Sequence, residues 1–376
     1  MRVMIAGVLG FLVVSVFMMR VSFAEEAAAS AAAARPEEPG LAAGYPGDVG
    51  IQEDKAVVFT ENFESEGLES LKERWSSVGN TAGALSLSEE VPPGSAGRHS
   101  LAVTAQRGEN EGGYLYKVLE PGYDELHARI YVRFAPDYGF DHHFCSLGGE
   151  IDPKPWPVGG AGRRPTARFG TGIEPATALL HTWPPKRFPP PGFWHFYTYW
   201  PEMHSWETVE GVVKNNPPEG TGTSFYGNNF SPAEPTFAPR GRWICLEWMV
   251  KLNSDPEKSD GAQRFWIDGK LVGDWGAGSV EGYWVRENFR IVPGDERNEP
   301  FEGFRWRTDM RVQINKFKIE NYVSERSFKT GDTYRAEHPD FRMNDNEYTC
   351  WFDHIVVATE YIGPLQPAAG GSGHQP

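Results

Sequence analysis

Arg168, Gly170, Gly172 and Glu174 alternate with the apolar Phe169 and Ile173, and His195, Tyr197 and Tyr199 alternate with Trp194, Phe196 and Trp200. Period-two alternation puts each polar set on one face of a β-strand and each apolar set on the other. The first polar set joins a cation to two glycines, which let something lie close to the backbone. The second offers an imidazole and two phenols, groups that take or give protons. Arg168 with His195 and Tyr199 is the pairing best suited to chemistry: the cation can hold developing negative charge while imidazole or phenol moves the proton. Lys251 and His143 complete the catalytic candidates, His143 because His142-His143 follows the strand His127 to Phe134 and can reach its rim.

The same alternation recurs elsewhere. His127, Arg129, Tyr131 and Arg133 stand opposite Ala128, Ile130, Val132 and Phe134. Cys245, Glu247, Met249 and Lys251 stand opposite Ile244, Leu246, Trp248 and Val250. Arg311, Gln313 and Asn315 alternate with Val312 and Ile314. Each polar face alone would fit a solvated outer surface. Their recurrence on five strands, with long amphipathic side chains, reads as one sheet whose front is a groove. Arg129, Tyr131, Arg133, Glu174, Tyr197, Glu247, Gln313 and Asn315 are then expected to contact a ligand there, with Glu174 and Glu247 ion-paired to Arg168 and Lys251.

The elements that must position these residues are strands. Convincing amphipathic helices are scarce, and Asp268-Gly269 between two apolar runs is a strong hairpin signal. The expected fold is all-β: a two-sheet sandwich of jelly-roll type with long loops. The Pro- and Gly-rich stretch from Asp141 to Gly192 also carries Trp156 and Trp183, and is expected to wall the groove.

The chain of 376 residues opens with Arg2, an apolar run to Met19 and the small residues Ser22 and Ala24, which reads as a secretory signal over residues 1–24. Residues 25–54, rich in Ala and Pro, read as a disordered linker, residues 55–365 as the folded domain, and residues 366–376 as a flexible tail. Loss of Arg2 and Arg20 leaves 34 Lys and Arg against 51 Asp and Glu, a net charge of about −17. That charge excludes a general nucleic-acid binder, though a groove can still be locally basic. No later run is long enough for a spanning helix, so a secreted or periplasmic location is expected. Cys145, Cys245 and Cys350 permit one disulfide and leave one thiol over, with Cys245 reading as a small buried hydrophobe.

Phe59-Thr60-Glu61-Asn62-Phe63-Glu64, Gly241-Arg242-Trp243-Ile244-Cys245-Leu246-Glu247, Trp266-Ile267-Asp268-Gly269-Lys270-Leu271-Val272 and Phe352-Asp353-His354-Ile355-Val356-Val357-Ala358 resemble the concanavalin A-like jelly rolls of polysaccharide lyases, nearest the alginate and glucuronan lyase branch. The resemblance covers roughly residues 56–363, mostly in scaffold motifs. It implies a concave sheet that binds an anionic, uronate-containing polysaccharide. It also implies β-elimination by a Tyr or His base, with Arg, Gln or Asn neutralising the carboxylate. Gln313-Ile314-Asn315 departs from the Gln-Ile-His of alginate lyases. A structural calcium ion is implied at Glu64 and Asp353; an ordinary role as edge acids is the alternative. No organic cofactor is expected.

Two other functions stay open. A non-catalytic glycan-binding module would stack sugar rings on Trp200, Tyr197 and Tyr131. A surface-assembly protein would be held by its Ala/Pro-rich segment. Hydrolysis is disfavoured because Glu150-Ile151-Asp152 runs into Pro153-Lys154-Pro155 and lacks a third carboxylate; that string reads as a loop.

Overall fold

The computed structural model describes residues 39–65, 67–176, 178–179, 186–206, 208–209, 212–213 and 225–368. The segment 1–24, residues 25–38 of the proposed linker, Trp183 and residues 369–376 lie outside that set.

Alternating sequence builds two large sheets. In chain order their strands are β1 (Val57–Glu61), β2 (Ser77–Gly79), β3 (Leu85–Ser88), β4 (Ser100–Gln106), β5 (Gly112–Tyr123) and β6 (Glu125–Phe134). Next come β7 (Cys145–Glu150), β8 (Arg168–Ala176), β9 (Phe193–Tyr199), β10 (Asn228–Phe230), β11 (Trp243–Lys251) and β12 (Ala262–Ile267). The last are β13 (Lys270–Trp275), β14 (Glu281–Val285), β15 (Asn288–Arg290), β16 (Glu299–Pro300), β17 (Gln313–Tyr322) and β18 (Glu347–Ala358). The back sheet has eight strands in the order β13-β12-β11-β6-β18-β4-β3, with β1 paired to β18. The front sheet has ten, in the order β2-β5-β17-β7-β8-β9-β10-β15-β14-β16. All neighbours are antiparallel except β10 and β15.

The apolar faces meet between the sheets. Ile130, Leu246, Trp248 and Phe352 of the back sheet bury against Phe169, Phe196, Ile314 and Phe317 of the front. Trp248 and Phe317 rings lie 6.2 Å apart and Phe196 and Phe265 rings 5.4 Å apart. Trp200 belongs to this core, against Phe230 and Phe304, so it offers no platform to a sugar. The Asp268-Gly269 turn joins β12 to β13 with both residues at positive φ, as that two-residue hairpin requires. This is the all-β jelly-roll sandwich that the strand pattern implies.

The five polar strand faces do not share one sheet. β8, β9 and β17 lie in the front sheet, whereas β6 and β11 lie in the back one. Alternation tells which face of a strand is apolar, not which layer the strand joins. The polar face of the back sheet is covered by both ends of the folded region. Residues 39–54, expected as part of a linker, form 3-10 turns at Leu41–Gly44, Pro46–Asp48 and Ile51–Glu53, with Ala42 and Ile51 buried. They run beside residues 361–368: Leu41 N donates to Tyr361 O at 3.0 Å, Ala42 N to Ile362 O at 2.9 Å and Gly47 N to Gln366 O at 2.7 Å. At the crossing a Cβ on Gly40 would lie 2.3 Å from Ile362 O, so only glycine fits.

One helix, α1 (Glu325–Glu337), was not legible in the sequence; it buries Phe328, Gly331 and Tyr334 between β17 and β18 in chain order. Cys145, Cys245 and Cys350 are free thiols, all buried. No helix among the described residues is long and apolar enough to cross a membrane.

Candidate functional site

The front sheet carries its polar residues in rows set by register. Gly172 on β8 stands opposite Ser146 on β7 and Tyr197 on β9, and Ser146 stands opposite Lys318 on β17. One step along the strands, Gly170 stands opposite Gly148 and Tyr199, and Gly148 opposite Lys316. The floor over β7 and β8 is therefore nearly bare, with tyrosines along one side and lysines along the other. Arg168 stands opposite Glu150 at one end of this trough. Glu174 stands opposite His195 at the other.

A cavity of about 280 Å³ occupies the trough, lined by Arg168, Gly170, Gly172, Tyr197, Tyr199 and Lys316 among others. Residues 157–161 and Pro165 close over it, as expected for part of the Pro-rich loop, and Arg168 Nη2 reaches Gly160 O at 3.4 Å. A second cavity, of about 400 Å³, shares His143, Glu174 and Tyr197 with the first and extends toward Arg290 and the Arg326 of α1.

At the junction of the two cavities Glu174 lies between two imidazoles. His143 Nδ1 lies 3.1 Å from Glu174 Oε2, and His195 Nε2 lies 3.7 Å from Oε1. Burial pushes Glu174 up, but His143, His195 and His142 together outweigh it and hold the carboxyl below its ordinary range. Burial alone would lower His143; the Glu174 charge and hydrogen bond prevail and raise it. For His195 burial wins over Glu174 and lowers it. The His143 side chain is 38% exposed, so it can meet a ligand, whereas His195 is buried behind Glu174. The ring of Tyr197 lies 5.4 Å from that of His143, and its hydroxyl 3.4 Å from that of Tyr199. Burial raises both phenols, which keeps them protonated. Lys316 lies 3.6 Å from Glu150, and Lys318 pairs with Glu320.

Of the residues proposed from sequence, Arg168, His195, Tyr199, His143, Glu174 and Tyr197 line the two joined cavities, Tyr199 near Arg168 and His195 at the far end from it, so the expected pairing of Arg168 with His195 is not formed. Glu174 pairs with histidines rather than with Arg168. Arg129, Glu247, Tyr131, Arg133 and Lys251 lie on the back sheet, and Gln313 and Asn315 lie at the edge of the trough on β17. Arg129 is fully buried, donating to Asp48 and to the carbonyls of Gly363 at 3.3 Å and His354 at 3.1 Å. Glu247 accepts from the backbone N–H groups of Ile362 and Gly363, both at 2.8 Å, and lies 3.1 Å from His127. The Tyr131 hydroxyl accepts from Leu365 N at 2.8 Å. Arg133 pairs with Glu90, and the exposed Lys251 lies 3.3 Å from Glu125 rather than from Glu247. Gln313 sits opposite Glu150 at the sheet's end. Asn315 is the extra residue of a bulge, with its side chain spent on the backbone N–H and C=O of Glu150. Glu150 is not in a loop: it ends β7.

Sequence reasoning missed Lys316, Lys318, Glu150 and Glu320. Lys316-Phe317-Lys318-Ile319-Glu320 alternates cleanly, and that was the available signal. The bulge at Asn315 reverses the phase of β17, so the set read from Val312 and Ile314 stops short of it.

Glu64 and Asp353 lie on the back-sheet side. Asp353 Oδ2 is buried without a hydrogen-bond partner, 3.9 Å from His354 Nε2; burial, then Glu64 and Asp48, push its carboxyl well up. An orphaned carboxylate oxygen beside another acid fits a cation. Glu64 is partly engaged by the N–H groups of Arg98 at 2.6 Å and His99 at 2.7 Å. Among the described residues no three His, Cys, Asp or Glu side chains could hold a metal, so calcium here would draw on backbone oxygens as well.

No family model matches the chain, and no curated protein does. Solved structures do. An alginate lyase from Aplysia kurodai is 14% identical, with 81% of this chain and 99% of that one covered at a TM-score of 0.48. An alginate lyase from a Chlorella virus is 12% identical, covering 80% and 99% at 0.47. The endo-β-1,4-glucuronan lyase of the fungus Trichoderma reesei is 13% identical, covering 81% and 95% at 0.41. The likeness is one of sandwich layout.

Proposed function

We propose that the protein cleaves a uronate-containing polysaccharide by β-elimination in the front-sheet trough. The observation that carries this is the convergence of the Glu174-held His143, the phenols of Tyr197 and Tyr199, and the cations Arg168, Lys316 and Lys318 around one bare floor. Elimination needs a charge stabiliser, a base and an acid. Lysine and arginine neutralise the uronate carboxylate, which acidifies the proton on the adjacent carbon. Neutral His143 takes that proton, and Glu174 stabilises the imidazolium. Tyr197, held protonated by burial, gives its proton to the departing glycosidic oxygen.

Hydrolysis fits less well. A glycosidase needs a carboxylic acid that stays protonated, with a second carboxylate across the bond. Here Glu174 is held below its ordinary range, and Glu150 and Glu320 each face a lysine. The binding-module reading loses two of its three platforms, because Trp200 is core and Tyr131 lies under the C-terminal segment.

The test is incubation of the purified protein with alginate, polyglucuronate, ulvan and glycosaminoglycans while ultraviolet absorbance of the unsaturated product is followed. Tyr197→Phe is expected to lower kcat about 100-fold or more. New reducing ends without the absorbance would mean hydrolysis. Saturable binding without cleavage of any polymer would leave a binding module.

A further inference from the structure

Glycines inside strands normally have a visible reason. A Cβ on Gly149 would lie 2.0 Å from Gln313 O, one on Gly112 would lie 1.8 Å from Asn321 O at a positive φ, and one on Gly273 would strike the Trp275 ring at 2.3 Å. Gly170 has no such reason. A Cβ there meets no atom within 4 Å, and its φ is not positive. Among the glycines within the eighteen strands it alone has that empty space. A mid-strand glycine lowers stability and contributes no packing. Nothing in the chain itself asks for one at this position.

Its position in the trough supplies the reason. Across the sheet the order is Tyr199, Gly170, Gly148, Lys316, three strand spacings or about 14 Å from backbone to backbone. Over Gly148 the Lys316 side chain already leans in, its Cε 3.4 Å from where a Cβ would be. Gly170 is the part of the floor that stays open. It is also one register step from Gly172, which lies beside Tyr197 where proton transfer is assigned.

We propose that the bare backbone of Gly170 is the seat of one uronate ring, next to the ring being cleaved. The seated ring has its carboxylate toward Lys316 and Arg168 and its opposite edge toward Tyr199. This rests on the uronate reading above and adds a specificity-determining position to it: what passes over Gly170 must lie flat against the backbone, so a branch or bulky substituent pointing toward the floor is excluded.

The experiment uses Gly170→Ala and Gly170→Leu in the full chain. Melting temperature is recorded for each. Calorimetric binding is measured with saturated tetrasaccharides of alginate and of polyglucuronate. Both variants are expected to melt at or above the wild-type temperature, because a side chain in a strand restricts the unfolded state and its Cβ enters open space. Affinity is expected to fall in step with side-chain size, by more than tenfold for Leu. Unchanged affinity in the Leu variant overturns the seat while leaving the uronate reading in place. Loss of affinity accompanied by a lower melting temperature in both variants overturns it too, by giving the glycine a structural role. If the wild type binds neither tetrasaccharide, the uronate reading falls and the seat falls with it.

Discussion

Glu174 holds one imidazole at each oxygen, and that has a consequence for pH. The reaction proposed needs His143 neutral, and His143 titrates above the ordinary 6.5 because Glu174 outweighs its burial. The acid limb of kcat against pH should therefore lie above 6.5. Glu174→Gln removes the charge and should move that limb to lower pH while lowering kcat, since the imidazolium formed in the reaction loses its partner. A limb that stays in place would remove His143 from the base's role. At this scale the sequence was informative where strands were regular: Arg168, His195, Tyr197 and Tyr199 share a face as their spacing implies. Spacing could not show that Glu174 would choose histidines over Arg168, because the partner histidine at 143 arrives from a loop 31 residues away.

At the scale of elements the bulge in β17 decides which residues reach the trough. Asn315 pins it by accepting from Glu150 N at 3.2 Å and donating to Glu150 O at 2.7 Å. Asn315→Ala leaves both backbone groups short of a partner and should cost about 2 kcal/mol in urea denaturation. It should also weaken oligouronate binding, because Lys316 follows directly. A stability loss with affinity intact would mean that the lysine is placed by Glu150 alone. Strand existence and the Asp-Gly hairpin were readable because they rest on local pattern and turn chemistry. The bulge was not, because one inserted residue shifts the pattern without changing composition. α1 was hidden for a related reason: of its thirteen residues only Ser327, Phe328, Gly331 and Tyr334 are buried, too weak a stripe to mark a helix.

For the whole molecule, the partition of strands between layers separates two kinds of polar face. Arg129, Tyr131 and Glu247 looked like ligand-binding residues because a buried polar face and a binding face have the same composition; here the ligand is the chain's own backbone. Glu247→Leu leaves two buried N–H groups unpaired and is predicted to cost about 3 kcal/mol. Lys251→Ala, at an exposed ion pair, should change stability by less than about 0.5 kcal/mol and leave cleavage unchanged. A loss of cleavage in Lys251→Ala would put the back sheet into the site again. The calcium proposal belongs to this scale as well. If Glu64 and Asp353 share the ion, calcium at a hundredfold over its Kd should stabilise the fold by about 2.7 kcal/mol, and Asp353→Asn should abolish that gain. A melting temperature indifferent to calcium and to chelator would end it.

The crossing of the two terminal segments also fixes how the molecule can be handled. Pro39 and Ala368, where the described chain begins and ends, both belong to the layer laid over the back sheet, and the trough opens on the opposite face of the sandwich. A bead, resin or fusion partner joined directly at residue 39 or residue 368 therefore grips the folded domain by its back, and the trough faces away from the support. Long, stiff or insoluble polymers could then be presented to an immobilised sample without the support standing in their way. The two segments run side by side in the same direction, from Leu41 beside Tyr361 to Gly47 beside Gln366, so the strap they form is anchored along its whole length rather than at one point.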